Sequence, residues 1–93
     1  MAKNIRITKA NQIAINLIAK SNHELDRYAR WEREAKEEGD DKLLKTWKES
    51  YTWTLKKWSA QTDMLAAMNN IDFCDMVKSE NYHEMLRIAE ANI

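Results

Sequence analysis

Glu80 and His83 are the residues of this 93-residue chain best spaced for metal chemistry. Positions three apart share a helix face, so a carboxylate and an imidazole there project the same way and can ligate a transition metal. Glu24, Glu32 and Glu49 are the carboxylates that earlier segments can add. Cys74 with His23 or His83 has the residue types of a nucleophile and its base. Nothing in their spacing brings them together. Cys74 lies beside Phe73 in a stretch that opens a helix, where a small packed apolar residue is expected. A single glycine rules out a glycine-rich phosphate loop, and there is no Cys-x-x-Cys pair. No Ser-His-Asp signature is present either. Catalysis has little material here, so the sequence points to a non-enzyme with no cofactor and no catalytic metal.

Two resemblances attach to short motifs. The Glu80-x-x-His83 spacing resembles that of ferritin-like carboxylate bundles. Full-size members carry it twice. Short two-helix relatives carry it once and complete the site across a dimer. The resemblance implies a di-metal oxidase with Glu80 and His83 as ligands. It covers four residues, and an ordinary solvated His83 is the preferred reading. The second motif is Lys3-Asn4-Ile5-Arg6-Ile7-Thr8, which alternates briefly as a strand does. It resembles the start of ribbon–helix–helix regulators, whose strand pairs across a dimer and enters the DNA major groove. That resemblance implies nucleic-acid contacts from Lys3, Arg6 and Lys9. The usual glycine-containing turn between the two helices is absent. Fifteen basic against fifteen acidic residues give zero formal charge, a poor balance for meeting many phosphates. Nucleic acid is therefore the alternative partner and not the favoured one.

The elements that position these residues are helical. One glycine, no proline and five methionines leave little punctuation for turns and strands. The stretch Asp40 to Met68 holds three of the four tryptophans. At about 100° per residue, Leu44, Trp47, Tyr51, Leu55, Trp58, Thr62, Leu65 and Ala66 line one face. That face is a core stripe. Trp53, Lys57, Ala60, Met64 and Met68 form a second strip on the far side. A surface helix needs one apolar stripe, so the second strip has its own neighbour, either the C-terminal segment or another chain. Trp53 and Lys57 are one turn apart and suit a cation–π contact.

Upstream, Thr8 caps a first helix. Its stripe is Ala10, Ala14, Leu17, Ile18, Ser21, Leu25, Tyr28 and Ala35, with Ile13 and Trp31 at the edge. Ser21-Asn22-His23-Glu24 has the form of a capping box, but the stripe keeps its phase through it. One continuous helix follows. Asp26–Arg30 and Glu32–Lys36 add favourable pairs along its charged second half. Gly39 fits the left-handed position that ends a helix, and Asp40 with Asp41 suits the next N-terminus. Downstream, Asp72 and Ser79 are the candidate caps of two short helices.

The expected fold is all-α. It is a long antiparallel helical hairpin plus one or two short C-terminal helices, a small bundle in a single domain over 1–93. Residues 1–7 are a loose arm, with helices over 8–38, 40–68, 72–78 and 80–91. A lone Cys74 fits a reducing compartment, no apolar run spans a membrane, and the start has no signal-peptide core. A cytoplasmic protein is expected. The favoured function is a small protein-interaction module that binds another protein or itself, as a homo-oligomer, through Trp53, Lys57, Ala60, Met64 and Met68. In style the chain resembles small phage or mobile-element proteins, including inhibitors of host defence, which implies a regulator or inhibitor. No motif carries that likeness.

Overall fold

Thr8, in extended backbone, accepts a hydrogen bond from the Asn11 amide and starts the first helix. The computed structural model describes residues 4–93. It contains α1 (Lys9–Glu38), α2 (Asp41–Met68), α3 (Phe73–Val77) and α4 (Glu80–Ala91). No strand occurs among the described residues. The helix α1 runs unbroken through Ser21, because the Ser21 hydroxyl donates to Gln61 Oε1 at 2.7 Å on α2. A hydroxyl engaged across the hairpin does not serve as a cap.

Gly39 ends α1 at φ 72°. Its amide donates to the Lys36 carbonyl and the Asp40 amide to that of Ala35, the paired bonds of a Schellman turn. Asp40 then accepts from the Leu43 amide and caps α2. No atom outside the turn stands within 4 Å of where a Gly39 side chain would begin. The left-handed backbone alone therefore disfavours other residues. Gly39→Ala is expected to lower stability by about 1 kcal/mol. An unchanged denaturation midpoint would remove the turn's claim on glycine. The end of α2 repeats the device with Asn70, at φ 54°, a residue that tolerates this region. The Asn70 and Ile71 amides donate to Ala67 and Ala66.

The hairpin is antiparallel, and three polar ties fix its register. Asn11 and Asn69 exchange side-chain amide hydrogen bonds at 2.8 and 3.0 Å. Ser21 meets Gln61, and Lys57 Nζ lies 3.0 Å from Glu24. The covered line on α2 is Trp47, Tyr51, Thr54, Trp58, Gln61 and Leu65, buried or half-buried throughout. Its steps alternate four and three, the seam of a left-handed helix pair. This corrects the expected stripe. Leu55 lies on the exposed side and Thr54 takes its place inside. A run of equal steps of four turns off a seam whose period is about 3.5 residues. On α1 the same drift exposes Ala10 and Leu17, while Ile15, off the seam, is buried in the core shared with α4.

Two packing units share this seam. At one end α4 lies against α1, and α3 joins α2 to α4. Ile5, Ile15, Ile18, Ala19, Leu65, Ala66, Met76, Tyr82, Met85 and Ala89 form the closed core there. At the other end only two helices meet, and rings close the gap. Trp31 and Trp47 lie 4.7 Å apart, with Tyr28 stacked on Trp47 at 5.9 Å. Arg27 covers Trp31 at 5.7 Å. The cation over an indole is thus Arg27, on a different helix from the pair expected at Trp53 and Lys57.

Residues 4–7 are not a loose arm. They lack regular structure, yet Ile5 is 1% exposed. The Ile5 amide donates to Ser79 Oγ at 3.4 Å, and Asn81 Nδ2 donates to the Ile5 carbonyl at 2.9 Å. Ser79 Oγ also donates to Asn4 and accepts from the Tyr82 amide as the cap of α4. The apolar side chain of Ile5 finds a slot and its backbone finds partners, which overcomes the entropy of a free end. Asp72, by contrast, precedes α3 without making a side-chain cap.

Burial, and secondarily the charge of Glu90, raises the Tyr82 hydroxyl above its ordinary value near 10.0. The fold therefore favours the neutral phenol. Its contribution is complete below the unfolded value and is lost as pH climbs through the raised folded value. In a variant carrying Tyr28→Phe and Tyr51→Phe, the titration followed at 295 nm is expected to have its midpoint above 10.0, together with loss of helicity. A midpoint at or below 10.0 with the fold intact would contradict this.

Candidate interaction face on the second helix

The closed core leaves the outer side of α2 uncovered. The α4 helix packs on α1, and α3 meets α2 where Phe73 lies against Trp58 of the covered line. The second strip of α2 is therefore not roofed by the C-terminal segment. Trp53 is 70% exposed, Met64 66% and Met68 53%. Ala60 and Ala67 are exposed between them. An isolated exposed apolar residue is ordinary, but a contiguous set including a tryptophan is the usual mark of a contact site.

Lys57 departs from the expected role of a free cation beside Trp53. It is half-buried and paired with Glu24 of α1. A pair this exposed adds little stability, but it holds the lysine stem along the edge of the hairpin and screens the seam. The pair also sets the register of the apolar residues beyond it. Two helical turns along, Leu17 comes level with Met64, and one turn further Ile13 comes level with Met68. Leu17 and Ile13 are exposed. The face thus spreads across the hairpin edge onto α1. Sequence reasoning missed these two residues because the helical wheel of α1 put Leu17 in the core and Ile13 at its margin. Their apolar character was the available signal; the seam's drift hid their direction.

Charges border the face on its other flank. Glu49, Lys56 and Asp63 are exposed and seven residues apart in succession. Lys48, Glu49, Thr52 and Lys56 form a shallow depression at the foot of the Trp53 ring. Among the described residues the ion pairs are Lys57–Glu24 and Arg87–Glu84. The expected pairs Asp26–Arg30 and Glu32–Lys36 are not among them.

The residues singled out for metal or nucleic acid lie elsewhere. Glu80 and His83 are exposed on α4. The His83 Nε2–H donates to the Val77 carbonyl at the end of α3, which turns the ring into a local tie. Glu24, the nearest analogue of a carboxylate from the first arm, is engaged by Lys57. No group of three or more His, Cys, Asp or Glu side chains able to hold a metal occurs among the described residues. Cys74 is exposed and His23 lies on α1. Lys3 lies outside the described residues. Arg6 and Lys9 are exposed, but the backbone around them forms no strand. The Arg6 carbonyl is bonded to Asn11, and Ile5 is inserted beside α4. The described part of the segment that resembled a DNA-reading ribbon, residues 4–8, is thus built into the bundle as a strap.

No helix of the described chain is long and apolar enough to cross a membrane. Compared with protein-family models, curated proteins and solved structures, the chain matches none.

Proposed function

We propose that this protein is an interaction module that binds a protein surface through the outer face of α2. The observation that carries this reading is Trp53 standing 70% exposed in line with Met64 and Met68. Tryptophan and methionine are enriched in the centres of interfaces, and a buried indole is a typical energetic anchor. The apolar side chains sit on a rigid helix whose opposite face is fixed by the seam, so they are presented without ordering a loop. The surrounding lysines and carboxylates supply the polar rim such sites use.

Site-specific photocrosslinking tests the assignment. A photoreactive phenylalanine at Trp53 or at Met64 is expected to give discrete protein adducts in cells. The same probe at Glu90, on the exposed side of α4, is expected to give none. Equal labelling at the three positions, or no adduct at any of them, would reject the α2 face as the interface.

A further inference from the structure

We propose that the occupant of the α2 face is a second copy of this chain, lying antiparallel across a two-fold axis beside Ala60. The inference rests on the interaction reading above and names the partner. Trp53, Lys57, Ala60, Met64 and Ala67 follow one another in steps of four, three, four and three, and none is buried. This is a second seam on α2, with the spacing of a helix pair. Its centre is Ala60, whose small side chain lets two helices approach closely.

The face is complementary to itself in size. A two-fold axis at Ala60 sets each residue against the one equally far on the other side. Trp53, seven residues before Ala60, meets Ala67 of the second copy, seven after. The largest side chain of the face thus meets one of its smallest, twice, as an isologous contact requires. Met64 lies beside the ring and supplies adaptable apolar contact.

Charge selects the same arrangement. Lys56 and Asp63 occupy one flank of this seam, and both are exposed. In an antiparallel pair like flanks face each other, so Lys56 of each copy stands against Asp63 of the other. A parallel pair would instead set this flank against the other one. That flank holds Thr54, which is buried, and Gln61, which is hydrogen-bonded to Ser21. Both already belong to the hairpin. Equal numbers of basic and acidic residues let two copies approach without net repulsion.

Charge exchange on the full chain tests the pairing. Lys56 and Asp63 are two turns apart on one helix, so within one copy they do not touch. At low salt, sedimentation equilibrium is expected to give twice the 11.0 kDa chain mass. Lys56→Glu alone and Asp63→Lys alone each place like charges together at two sites and are expected to weaken the dimer by about tenfold. The double variant restores opposite charges and is expected to recover the wild-type dissociation constant to within about threefold. Circular dichroism checks that all three remain helical. A wild type that stays monomeric at millimolar concentration overturns the proposal. So does a dimer that the double exchange fails to restore. Discrete crosslinks from position 53 to a different protein, on a chain that sediments as a monomer, would overturn the self-pairing while leaving the interaction face standing.

Discussion

Trp58→Ala is expected to lower stability by about 3 kcal/mol, at the lower end of the range for removing a core aromatic. Trp58 is half-buried and packs edge-on against Phe73 at 6.1 Å between ring centres. It packs against the closed core beside Phe73 of α3. Its Nε1 is buried without a hydrogen-bond partner, so the ring enters the fold with an unsatisfied donor. That penalty is relieved on truncation and keeps the net loss at the lower end. Trp53→Ala, measured on dilute protein, is expected to change stability by less than about 0.5 kcal/mol, as surface substitutions do. The two tryptophans sit five residues apart on one helix, which makes the contrast a clean one. Urea denaturation of both variants measures it. A loss at Trp53 as large as that at Trp58 would mean that the outer face is internal core.

The second large effect lies at the other end of the chain. Ile5→Ala is expected to cost about 3 kcal/mol, within the range for emptying a fully buried aliphatic site. Ile5 contacts the core cluster, and both of its backbone polar groups are bonded to the start of α4. Loss of the side chain leaves a cavity and frees the strap. The Ser79 hydroxyl then retains only its local bond to the Tyr82 amide. The measurement is a chemical denaturation midpoint, supported by hydrogen exchange at α4. Exchange there is expected to rise more than at the aromatic end of the hairpin, because α4 is the element the strap holds. A variant as stable as wild type would show that residues 4–7 do rest loosely on the bundle.

Local rules were legible without the fold. Thr8, Gly39, Asp40 and Ser79 act where their chemistry placed them. Each cap depends on backbone geometry within a few residues, which sequence alone fixes. The second apolar strip of α2 was legible for a related reason. A helix with two apolar sides must point one of them away from any single neighbour, whichever neighbour that is.

Assignments that depended on a second element were not legible. Ser21 reads as a cap until Gln61 stands opposite it. Lys57 reads as free until Glu24 does. Leu17 and Leu55 read as core because a single-helix wheel has no supercoil. Pairing two helices about 30 residues long shifts the seam to a period of about 3.5 residues and turns such positions outward. Ile5 read as part of a loose arm because its local sequence carries no information about a slot formed by α4, more than seventy residues away. The sequence by itself determined an all-helical chain, its turn at Gly39 and an α2 helix apolar on two sides. Only the tertiary structure decided that α4 would cover α1 and leave Trp53, Met64 and Met68 bare. The physical reason is that helix amphipathicity says how much apolar surface must be covered, while the register of packed helices says which surface finds cover.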